Sequence, residues 1–215
     1  MSEARIMFLS GLITVVILVF SAILHEIAHG FVADRLGDPT ARLLGRLTLN
    51  PRNHIDPVMS ILLPLLLIFS GSPVIFGAAK PVPVDPFNLK EGRKDLAIVS
   101  LAGPLTNVII AIIAGFIIKF SFIFGSFAPI AEVLLLIVVQ INLLLAIFNL
   151  LPIPPLDGSK IFSLLLPEKE ANAYMSLGSV GFMILFFLLM FPVAGFSLGE
   201  VIFSLLTFSE KLLGL

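Results

Sequence analysis

Two of the chain's three histidines fall in one pentapeptide, HEIAH, which comprises His25, Glu26 and His29. On a helix, positions four apart lie on nearly one face, so both imidazoles can reach a single ion. Glu26, next in sequence to the first imidazole, is placed to reach a water at that ion and to act as general base. Zn2+ suits this chemistry, because it lowers the pKa of such a water to about 7. With no cysteine in the sequence, a metal has to be held by His, Asp or Glu. A catalytic zinc needs a third protein ligand and one position left open. Asp157, in FNLLPIPPLDG at 148–158, is the candidate. An Asp-Gly pair alone is an ordinary turn signal, but this one follows a long apolar span at the membrane side where the pentapeptide ends.

The elements that position these residues read as membrane helices. Apolar residues make up 58% of the 215-residue chain and charged residues 13%, with a mean hydropathy of +1.12. Soluble domains are roughly half apolar. Three runs, at 6–33, 96–120 and 130–151, are long enough to cross, given the ~20 residues that a span requires. The first reads as a retained span, since it is longer than a signal-peptide core and lacks a cleavage pattern. The run at 58–69, broken by Pro64, is too short to cross and reads as re-entrant or interfacial. Residues 71–95 are rich in Pro and Gly, and the alternation around Pro81 and Pro83 predicts an extended edge at 74–84. A short surface helix is expected over 160–167, and the runs 179–191 and 198–208 suggest a short hairpin around Pro192 and Gly195.

These features predict an all-α polytopic membrane protein with about five to six membrane segments. One domain is expected over 1–215, with a catalytic core at 6–160 and an accessory C-terminal hairpin at 161–215. Basic residues cluster in two loops, Arg35, Arg42, Arg46 and Arg52 in one and Lys80, Lys90, Arg93 and Lys94 in the next. Both loops are therefore expected on the cytoplasmic side, the pentapeptide with them, in a plasma membrane.

Inside a span, an ionisable group costs roughly 2.5–3.5 kcal/mol at the centre, so a chance His-Glu-His cluster there is hard to sustain without a compensating ion. The net charge of -1 and the lack of a basic tract give no signal for nucleic acid. A zinc transporter or a non-catalytic zinc-binding protein is the alternative class. A transporter would need polar groups forming a path through several spans, yet the later spans offer few, among them Asn107, Lys119, Glu132, Gln140, Asn142 and Asn149. A purely structural site would have no need of Glu26.

HEIAH in a membrane helix, AGPLTN at 102–107 opening a later span and NLLPIPPLDG at 149–158 ending another together resemble the site-2 proteases. With GAAKPVPVDP between them, the likeness covers about residues 10–160. That family consists of intramembrane zinc metalloproteases that cut transmembrane segments of other membrane proteins. The resemblance implies one zinc ion per chain on His25, His29 and Asp157, with Glu26 as catalytic base. It implies that Asn149 lies near the metal to hold substrate or stabilise the oxyanion, although a helix–helix hydrogen bond is the competing role. Asn107 has the same two readings, and the structural one is favoured. Residues 74–84 match the family's edge for aligning an unwound substrate strand.

The likeness is to compact members without a PDZ or nucleotide-sensing domain, and the insertion holding His54 is absent from some relatives. His54 itself has three readings: a further metal contact, a gate residue, or a surface histidine beside a helix start, the last being favoured.

Overall fold

Apolar runs become helices in a membrane because the backbone there must satisfy its own N–H and C=O groups. The computed structural model describes residues 3–70, 80–193, 195 and 197–215. In chain order, α1 (Glu3–Leu36) leads to one turn, α2 (Thr40–Leu43), then to a π-helical stretch Pro57–Leu62 running into α3 (Leu63–Phe69). Next come α4 (Arg93–Lys119) and α5 (Ala128–Asn149). The shorter helices α6 (Asp157–Phe162), α7 (Glu168–Ser176), α8 (Gly178–Met190) and α9 (Leu198–Leu213) follow.

Among the described residues, three helices are long and apolar enough to cross a membrane: Phe8–Leu36 within α1, α4, and the Ser121–Asn149 unit that includes α5. These are the three spans expected from the sequence. Among the described residues, a fourth is added if α7 and α8, bent by 71°, count as one broken span. There is no sheet among the described residues. Of the expected edge at 74–84, residues 74–79 lie outside the described residues, and 80–84 form neither helix nor sheet.

Lipid gives helices no hydrophobic reason to associate, so close packing and buried polar bonds must hold the bundle. Small residues supply the packing. Ala111 and Ala114 of α4 meet Val139 and Leu143 of α5 in one buried cluster. Ala33 of α1 meets Val99 of α4 and Leu89 of the preceding loop in another. Bulky residues on the opposite faces, among them Phe20, Ile112, Ile113 and Phe116, point outward, as a hydrocarbon surround requires. At the C-terminal end, Leu185 of α8 and Leu198 and Ile202 of α9 bury against Ile147 and Phe148 of α5. These two helices are the runs expected to pair around Pro192.

The 57–69 run reaches along α1 until the Phe69 ring lies 5.9 Å from that of Phe8. By Lys80, whose N–H bonds to the His54 carbonyl at 2.7 Å, the chain is back where the run began.

Candidate metal centre

His25 and His29 share one face of α1 because four residues separate them. Asp157 opens α6, which packs on α4 and brings the carboxylate to that face. His25 Nε2 and His29 Nε2 lie 3.2 and 3.1 Å from Asp157 Oδ2, and 3.0 Å from each other. Ligand atoms at about 2.0–2.1 Å from a tetrahedral zinc stand about 3.3 Å apart, so this triangle has the right size. All three residues are buried.

Hydrogen bonding sets the state of each ring. His29 Nδ1 lies 2.7 Å from the Val99 carbonyl. A carbonyl only accepts, so the proton is on Nδ1 and Nε2 offers a lone pair. His25 Nδ1 donates to Asn107 Oδ1 at 2.6 Å, which frees its Nε2 in the same way. The other Asp157 oxygen, Oδ1, accepts from Lys160 Nζ at 3.0 Å. Two imidazole lone pairs and a carboxylate oxygen thus face one point. They repel one another without a cation between them, and the donor set of two nitrogens and one oxygen suits zinc. The residues fit the ion.

Gly103 of α4 explains why the point is open. A Cβ there would lie 2.5 Å from both Nε2 atoms, so any other residue would fill the space between the imidazoles. AGPLTN stands out in the sequence, but nothing in its spacing gives this glycine a role. Nor does the sequence give Lys160 or Asn142 a role at the site. Asn107 Nδ2 donates to Asn142 Oδ1 at 2.8 Å, and Asn142 Nδ2 donates to Ser21 Oγ and to the Val138 carbonyl at 2.9 and 2.8 Å. A polar residue inside a span is costly. That cost was the available signal for Asn142.

Glu26 is half-buried, and its Oε2 accepts the Val82 N–H at 2.7 Å. The 80–85 segment that carries this donor is pinned on several sides. Arg46 Nη2 donates to the Lys80 and Pro81 carbonyls at 2.8 and 3.1 Å. The Asp85 N–H donates to Asp38 Oδ2 at 2.7 Å. Asp38 is buried and also accepts from the Thr40 hydroxyl and N–H and from Asn88 Nδ2. Burial pushes its carboxyl up, but these donors outweigh that and lower it from the ordinary value of 3.8. Gly30 of α1 lets this layer sit close: a Cβ there would lie 2.7 Å from Val82 Cγ1, 2.8 Å from Leu47 Cδ2 and 2.9 Å from Ala41 Cβ.

The remaining candidates lie elsewhere. His54 is fully buried, not at the surface, and it is outside the metal group. Its Nε2 donates to the Thr48 carbonyl at 2.8 Å, and its own carbonyl accepts from Lys80, so it is packed beneath the returning chain. Asn149 is also outside the group, and its amide donates to the Leu145 carbonyl of its own helix at 2.9 Å. Both polar atoms of Asn107 are committed, one to His25 and one to Asn142.

Comparison with known proteins agrees with this geometry. The model of peptidase family M50 matches residues 13–132 and 125–191. The candidate zinc metalloprotease YwhC of Bacillus subtilis is 37% identical over 189 residues, covering 86% of this chain and 83% of that protein. The candidate zinc metalloprotease Rip2 of Mycobacterium tuberculosis is 38% identical over 140 residues, covering 64% of this chain and 51% of its own length. A third candidate zinc metalloprotease, from Methanocaldococcus jannaschii, is 34% identical over 146 residues, covering 67% of this chain and 71% of its own. No solved structure matches the chain. With most of its length matched, and two imidazoles and a carboxylate converging beneath a glycine, the chain belongs to peptidase family M50 and is a zinc metalloprotease.

Proposed function

We propose that this chain is an intramembrane protease of the plasma membrane that holds zinc on His25, His29 and Asp157, with Glu26 as general base, and cuts transmembrane segments of other proteins. The observation that carries this reading is the convergence of three buried ligand atoms within 3.0–3.2 Å, two of them on a helix long and apolar enough to cross a membrane.

Zinc at this site supplies Lewis acidity, polarising a peptide carbonyl and acidifying a water. Asp157 contributes the negative charge that balances the ion, and Lys160 keeps its second oxygen turned away. Glu26 Oε2 is oriented by the Val82 N–H, so Oε1 is the oxygen that takes the proton from the attacking water and passes it to the leaving amine. The three ligands are buried, which strengthens each electrostatic contact. A substrate helix must unwind locally, because its carbonyls are otherwise held in i to i+4 bonds.

In this reading the membrane segments number about five to six and both basic loops face the cytoplasm. The chain around 74–84 aligns the unwound substrate as an added strand. Asn149, which gives one amide N–H to the Leu145 carbonyl, keeps its second N–H for substrate or oxyanion. The test is cleavage of a single-span substrate in proteoliposomes by the purified protein, with the cut mapped by mass spectrometry. A cut within the span, blocked by a chelator and restored by zinc, is expected. Cuts confined to soluble loops would overturn the intramembrane assignment while leaving the metalloprotease intact.

A further inference from the structure

The two imidazoles of the metal site reach the same tautomer by different means. His29 Nδ1 faces the Val99 carbonyl, a group that can only accept. His25 Nδ1 faces a carboxamide, which can turn over and present either its oxygen or its NH2. With the oxygen forward, His25 must carry its proton on Nδ1, and Nε2 is free for metal. With the NH2 forward, Nδ1 would have to accept, the proton would move to Nε2, and that ligand would be lost.

What fixes the Asn107 carboxamide is Asn142, one helix away. Asn142 Oδ1 accepts from Asn107 Nδ2 at 2.8 Å, so the Asn107 oxygen is left to face His25. Asn142 is anchored in turn, because its Nδ2 donates to the Val138 carbonyl, again a group that only accepts, and to Ser21 Oγ. Every step from Val138 to His25 therefore has one permitted direction. Asn107 and Asn142 are both 0% exposed, so no water competes for these bonds.

We propose that Asn142 is a positioning residue for the metal site, holding the Asn107 carboxamide in the orientation that leaves His25 Nε2 available to zinc. The inference rests on the zinc site of His25, His29 and Asp157. Loss of a group that orients a metal-binding imidazole typically weakens metal binding by about 10–100-fold.

The experiment titrates Zn2+ against a chromophoric chelator with the full-length protein in detergent, alongside His25→Ala as the reference for a lost ligand. Asn142→Leu removes the acceptor, and zinc affinity is expected to fall by about tenfold or more. Asn142→Asp keeps an acceptor facing Asn107, so most of the affinity should return. In an Asn107→Asp background both side-chain oxygens can accept from His25 and orientation no longer matters, so adding Asn142→Leu should cost nothing further. If Asn142→Asp loses as much as Asn142→Leu, or if Asn142→Leu costs the same in both backgrounds, Asn142 acts through packing alone and the proposal fails. If the wild type binds no zinc in a way that His25→Ala abolishes, the site itself is wrong and the proposal falls with it.

Discussion

The metal cradle and the layer above it are built on different principles. In the cradle, helices place the ligands, and each ring is fixed by a buried bond to a neighbouring helix: Val99 and Asn107 on α4, with Asn142 on α5 behind. In the layer formed by residues 37–56 and 80–89, little regular structure exists, and side chains hold main chain instead. Arg46 grips two carbonyls, Asp38 gathers four donors, and the returning segment points one N–H at Glu26. The ligands are thus held by the bundle, whereas Glu26, the proposed base, is steadied by a segment of the layer.

Two glycines let the comparison be broken from either side. Gly103→Ala puts a Cβ between the imidazoles, so zinc affinity should fall by about 100-fold or more and activity should go with it. Metal analysis after dialysis checks this. Gly30→Ala pushes Val82 and Leu47 off α1 without touching the ligands. Full zinc content with a kcat lowered by up to about 100-fold is expected, the cost of misplacing a catalytic group by an ångström. Equal zinc loss in both variants would show that cradle and layer are one unit.

Smaller effects belong to the clamps. Asp38→Ala strands its donors and should destabilise the layer by about 2–3 kcal/mol, read as faster proteolysis within 37–56 with zinc retained. The acid dependence follows from the lowered Asp38 carboxyl. Its contribution is complete above the unfolded value of 3.8 and is lost as pH falls through the lower folded value. Protection of the layer from hydrogen exchange should drop in that acid range in the wild type, and not in Asp38→Asn. Arg46→Lys keeps the charge but not the fork, and should cost only about 1 kcal/mol by thermal unfolding.

The contrast also explains what could be read from the chain. HEIAH, the three long spans and Asp157 were legible because helical periodicity and span length act locally and set depth. Loop residues gave no such handle. His54, flanked by Asn50-Pro51 and Asp56-Pro57, looks like an exposed turn, and only the return of the chain at Lys80 buries it. The donor to Glu26 is a backbone N–H, which leaves no mark in the sequence. Gly103 and Asn142 stood in plain view, but their roles depend on which helix faces which, a relation that spacing along one chain does not carry. The helix at Glu168–Ser176 was missed because it is short and polar, without an apolar period to mark it.

A metal held by His25, His29 and Asp157 and serving a base at Glu26 is tested by comparing wild type with Glu26→Gln. Purified in detergent, both should carry close to one zinc per chain, while cleavage of a transmembrane substrate falls by about 10²–10⁴-fold in the variant. Equal cleavage by the two proteins would contradict the assignment of the base.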